Sequence, residues 1–152
     1  MVWHYTKGVH LPKILATGEI RPATAGVPVG EQPIVWFSGN ATWEATANPG
    51  RRDDAGKLHD ATVEEMDAIF GGRARISVND ATAPYDWYHL KRAAGIKTRM
   101  ARDMEVDAIR RGASPKDWRG TFDPVPREKW LSVEVFHNGA WVPFEDGSER
   151  KG

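Results

Sequence analysis

The 152-residue chain contains no cysteine. That excludes disulfides, thiolate metal sites and a thiol nucleophile, and it fits a reducing compartment. Net charge is missing as well, since 21 basic residues balance 21 acidic ones. Bulk attraction to nucleic acid or to an anionic membrane is therefore not expected, although a local basic patch is compatible with neutrality. No apolar run approaches the roughly 20 residues that a bilayer-spanning helix needs. No basic-then-apolar leader pattern opens the sequence, so the expected location is the cytoplasm. His4, His10, His59, His89 and His137 show no His-x-x-x-His or Glu-containing zinc spacing, and no metal site is expected. A glycine-rich phosphate loop and a Gly-x-Ser-x-Gly elbow are absent too.

What the chain does have is tryptophan: Trp3, Trp36, Trp43, Trp87, Trp118, Trp130 and Trp141. A core of this size does not need so many large rings. Either some line a cleft, where flat aromatic walls suit a stacked base or nicotinamide ring, or they fill a Trp-rich core with caps at the strand ends. With 40% hydrophobic and 28% charged residues, the composition is that of a globular chain. Residues 1–146 are read as one domain and 147–152 as a flexible tail.

Alternation in Val2-Trp3-His4-Tyr5-Thr6 predicts a first strand, with Val2, His4 and Thr6 on one face and Trp3 and Tyr5 on the other. Val9 to Thr17 reads as a short helix, with Pro12 in its first turn and Gly18 at its stop. Pro33 to Ser38 is the strongest strand of the first half. Thr42 to Asn48 reads as a turn of helix, and Asn48 to Lys57 as a polar, mobile loop. Thr62-Val63-Glu64-Glu65 is a capping-box sequence opening a helix through Phe70. Arg73 to Val78 alternates as a half-buried strand, Ala74, Ile76 and Val78 inward. Asp86 to Gly112 is the main helical region, broken near Gly95, with a stripe of Ile96, Met100, Met104 and Ala108. The chain closes in a hairpin: Trp130 to Phe136, a His137-Asn138-Gly139 turn, and Ala140 to Phe144.

Three polar residues on strands are candidates for chemistry. His4 is either a satisfied core histidine or one wall of a site. Ser38 closes the second strong strand, on the face of Trp36. Glu134 lies on the face of Trp130, Ser132 and Phe136, where flanking rings would desolvate its carboxylate and strengthen its interactions.

Trp3-His4-Tyr5-Thr6, Leu15-Ala16-Thr17-Gly18-Glu19-Ile20 and Val35-Trp36-Phe37-Ser38 together resemble the opening of ADP-ribosyltransferase-fold proteins, the bacterial DNA- and RNA-modifying branch above all. The likeness covers about a quarter of the chain; Arg73-Ala74-Arg75-Ile76 and Ser132-Val133-Glu134 extend it loosely. The resemblance implies an α+β fold of split, bent antiparallel sheets with short packed helices, gripping NAD in a central cleft. It implies that Glu134, His4 and Ser38 are catalytic and that His4, Thr6, Trp36 and Arg75 hold NAD. Loss of neutral nicotinamide leaves an oxocarbenium-like ribose, whose charge a fixed carboxylate stabilises. Two departures bear on the acceptor. The Ser-Thr-Ser run of the arginine-reading class is missing, and Ser132 stands two positions before Glu134 where that class has Glu or Gln. A nucleic-acid base or phosphate, or a small molecule, is then the expected acceptor. The alternative is a non-catalytic module that binds a nucleotide or a partner in the same aromatic cleft. Tyr5, turned away from His4 by alternation, is given no role in the site.

Overall fold

The two alternating segments β1 (Val2–Lys7) and β6 (Arg73–Val78) pair antiparallel at the centre of the main sheet in the computed structural model, which describes residues 1–145. The tail expected over 147–152 lies outside the described residues. In chain order the remaining elements are α1 (Leu11–Thr17), β2 (Glu19–Ile20), β3 (Val35–Ser38), β4 (Gly50–Arg52), β5 (Leu58–Asp60) and α2 (Val63–Ile69). After β6 come β7 (Tyr85–Asp86), α3 (Trp87–Ala93), α4 (Thr98–Arg110), β8 (Trp118–Thr121), β9 (Val125–Pro126), β10 (Trp130–His137) and β11 (Ala140–Pro143). The main sheet runs β11-β10-β6-β1-β3-β8-β7, every neighbour antiparallel, and two ribbons (β2-β9 and β4-β5) flank it. This is a mixed α+β fold of antiparallel sheets and short helices.

Local sequence accounts for the element ends. Gly18 takes a left-handed φ of 71° and caps α1, its N–H donating to the Ile14 carbonyl. The Thr62–Glu65 capping box forms on α2. Asn138 and Gly139 both have positive φ, 51° and 79°, as a two-residue hairpin turn between β10 and β11 requires. Gly95 separates α3 from α4, at φ 75°.

Three expectations are corrected. The polar stretch 48–57 is not a simple loop: β4 and β5 pair across it, and the Asp53 carboxylate accepts the Ala55 and Lys57 N–H groups at its turn. On α4 the buried side is Ala101, Met104 and Ala108, whereas Met100 is exposed, because the helix presents its small residues to Trp87 and Trp118. β6 is not half-buried. As a central strand it also buries Arg75 and Ser77 on the face expected to meet solvent.

One core, with Val35, Phe37, Ile76 and Val78, lies on one side of the sheet; a second, with Trp87, Leu90, Ala108 and Trp118, fills the space under α3 and α4. Close backbone approaches shape both. A Cβ on Gly120 would come within 2.9 Å of Ile34 and the Val35 carbonyl and 3.1 Å of Leu90, so only glycine lets α3 settle on β8. A Cβ on Gly8 would strike the Gly71 carbonyl, where the chain enters β6. No helix among the described residues is long and apolar enough to cross a membrane.

Candidate functional site

Register decides which residues can meet, because directly opposed residues on neighbouring strands share a face. Tyr5 is aligned with Arg75 and Arg75 with Glu134; Trp3 is aligned with both Ser77 and Ser38. Trp3, Tyr5, Ser38, Arg75 and Glu134 therefore occupy one face. His4 is aligned with Ile76, and Thr6 with Ala74, so both belong to the opposite, apolar face. Of the residues expected to work together, the fold groups Ser38, Trp36, Arg75 and Glu134 and turns Thr6 away. Tyr5 stands among them.

The β1–β3 ladder contains a single aligned pair, Trp3 with Ser38. A cavity of about 390 Å³ opens at this seam. His4 reaches it from the other face by bridging the seam: its Nδ1 lies 2.8 Å from the Trp36 carbonyl. A carbonyl only accepts, so Nδ1 carries the proton and Nε2 keeps its lone pair. Burial pushes the imidazole pKa below its usual 6.5, partly countered by that hydrogen bond, and His4 is neutral at pH 7.

The walls are aromatic: Trp3, Tyr5, Trp36, Phe37 and Trp118. The charged group buried among them is Glu44. Its Oε1 accepts from Ser38 Oγ at 2.8 Å, and its Oε2 accepts from Trp118 Nε1 at 3.2 Å, Thr46 Oγ1 at 2.6 Å and the Thr46 N–H at 3.3 Å. Only 8% of Glu44 is exposed. Four donors offset its desolvation, and among the described residues no cation touches the carboxylate.

Glu44 rides on a loop, 39–44, that other elements fasten. The Asn40 carbonyl accepts from Tyr5 Oη, the Ala41 carbonyl from Arg75, and the Thr42 carbonyl from Trp141 Nε1 at 2.9 Å. Three consecutive carbonyls are thus held by β1, β6 and β11. Sequence reasoning missed Glu44 because its burial depends on Trp118, 74 residues later. The available signal was a glutamate between Trp43 and a threonine two positions on, a side chain able to cap its own turn.

Glu134 is placed differently. Arg75 Nε donates to its Oε1 at 2.9 Å, with Arg75 10% and Glu134 21% exposed by side chain. The guanidinium lies between the rings of Trp3, at 5.2 Å, and Trp141, at 4.4 Å. Glu134 does not line the cavity. Tyr5 stands between this ion pair and the cavity, since its hydroxyl accepts from Arg75 at 3.3 Å while its ring borders the cavity. Burial raises the Tyr5 pKa, the Arg75 contact opposes that rise, and Glu44 and Glu134 add to it. Among the described residues no cluster of three His, Asp or Glu side chains could hold a metal.

No family model matches the chain, and neither a curated protein nor a solved structure shows significant similarity to it. The cavity itself must carry the functional reading.

Proposed function

We propose that the seam cavity binds NAD by its nicotinamide end and that the protein transfers ADP-ribose from it to a nucleophilic acceptor, a nucleic-acid base or phosphate being the class suggested by the sequence. The observation that carries this reading is Glu44, a buried carboxylate that no cation touches among the described residues, in a cavity walled by tryptophan rings. Aromatic faces and a fixed anion together favour a flat cation, and the nicotinamide of NAD is a pyridinium. When the glycosidic bond breaks, its electron pair goes to the ring nitrogen, neutral nicotinamide leaves and positive charge passes to the ribose. A rigid carboxylate at that point lowers the barrier to the extent that it meets the ribose charge better than the ring charge. His4, neutral and with Nε2 unprotonated, is the base that removes the acceptor's proton as it attacks. Arg75 neutralises Glu134, which acts here by holding Arg75 and, through Tyr5 and the Ala41 carbonyl, the loop of Glu44.

The same ion pair favours a second reading, a nucleotide-binding module without turnover, because it removes one carboxylate from chemistry. Calorimetric titration with NAD and chromatographic measurement of nicotinamide separate the two. Wild-type protein should bind NAD and release nicotinamide; Glu44→Gln should bind about tenfold more weakly and release none. Binding without release selects the module. Absence of NAD binding would falsify the transferase reading, and absence of binding to ADP as well would remove the module.

A further inference from the structure

Lys7 and Arg73 stand directly opposite each other where β1 meets β6. Like charges directly opposed across a sheet are unfavourable, and both residues here are half-buried. An ordinary sheet relieves such a pair with a carboxylate. Among the described residues neither cation makes an ion pair or a side-chain hydrogen bond, and the buried Arg73 Nε has no acceptor. Aromatic rings hold them instead. The Arg73 guanidinium lies 4.4 Å from the Trp43 ring and 5.8 Å from Phe136, and Lys7 Nζ lies 4.8 Å from Phe70. A ring contact uses none of the guanidinium N–H donors, so the terminal nitrogens of Arg73 are left to bind an acceptor.

We propose that Lys7 and Arg73 form a phosphate-binding site, separate from the seam cavity, for the phosphoryl group of a nucleotide or of a nucleic-acid strand. A phosphate between the two would supply the missing negative charge and acceptor oxygens together, by forked hydrogen bonds from Arg73 and a point charge from Lys7. Burial lowers the Arg73 pKa, with Asp67 opposing from outside ion-pair distance; an anion at the site reverses that penalty. The glycines that lead into β6, Gly71 and Gly72, both at positive φ, bring this end of β6 against Gly8 and align the pair.

The test is binding of inorganic pyrophosphate, ADP and a single-stranded oligonucleotide to wild-type protein, Lys7→Met and Arg73→Gln, by calorimetry with melting curves in parallel. Wild-type protein should bind pyrophosphate and melt at higher temperature in its presence. Each variant should bind about tenfold more weakly, and Lys7→Met should melt above the wild type without ligand. An oligonucleotide bound far more tightly than ADP, with a steep salt dependence, identifies a strand as the source; equal affinity identifies a nucleotide. Pyrophosphate affinity unchanged in both variants, or no binding by the wild type, overturns the proposal. Nicotinamide release plays no part in this readout, so its failure is distinct from failure of the NAD reading.

Discussion

Two carboxylates serve the same face of the sheet and are stabilised in opposite ways. Glu134 is neutralised by Arg75, which is itself wedged between two tryptophans. Among the described residues Glu44 receives only neutral donors. One carboxylate is held by a cation, the other by neutral donors in the wall of a cavity. Proximity to aromatic residues, which marked Glu134 in the sequence, does not separate these cases. The partner set does.

The largest expected effect comes from breaking the pair. Arg75→Met strands Glu134 and frees the Ala41 carbonyl, and should cost about 3 kcal/mol in urea denaturation. Adding Glu134→Leu should recover most of that loss; if the double variant is no better than the single, the ion pair is not what Arg75 chiefly provides. Next, Glu44→Ala leaves Ser38, Thr46 and Trp118 without their acceptor and should cost about 2 kcal/mol, with tryptophan fluorescence reporting the disturbed cavity. A loss below that of an exposed surface substitution would refute the buried hydrogen-bonded role. The smallest effect is on pH dependence. The His4 pKa is lowered in the folded state, so its contribution is complete above 6.5 and is lost as pH falls through the folded value. His4→Gln should flatten that part of the stability profile, and an NMR titration placing the His4 midpoint at or above 6.5 would contradict it.

Much of the architecture was legible from local signals. The opening strand, the α2 capping box, the break at Gly95 and the closing hairpin follow from side-chain alternation, caps and turn residues, which act over a few positions. The expected boundaries of the hairpin differ by a residue from β10 and β11. The polar 48–57 segment was less legible, because its pairing rests on Asp53 organising a turn rather than on apolar alternation. At the site, His4, Ser38 and Trp36 line the cavity, whereas Glu134, expected to converge with His4 and Ser38, and Thr6 do not. Tyr5 was set aside on the premise that the working face is that of His4; cross-strand register, which a single strand cannot reveal, puts Arg75 and Glu134 on the face of Tyr5 instead. For Glu44 the sequence offered only the local turn-capping signal, because its burial is assembled from β3, β8 and a loop held by distant elements.

That loop has a consequence for how the protein matures. Its third fastening, Trp141 to the Thr42 carbonyl, joins residues 99 positions apart. During synthesis β1, the loop and Glu44 leave the ribosome long before β11 exists, so the nascent chain exposes an unfastened carboxylate loop and an open sheet edge. The loop that carries Glu44 gains its last fastening only when β11, 99 positions further on, has been made.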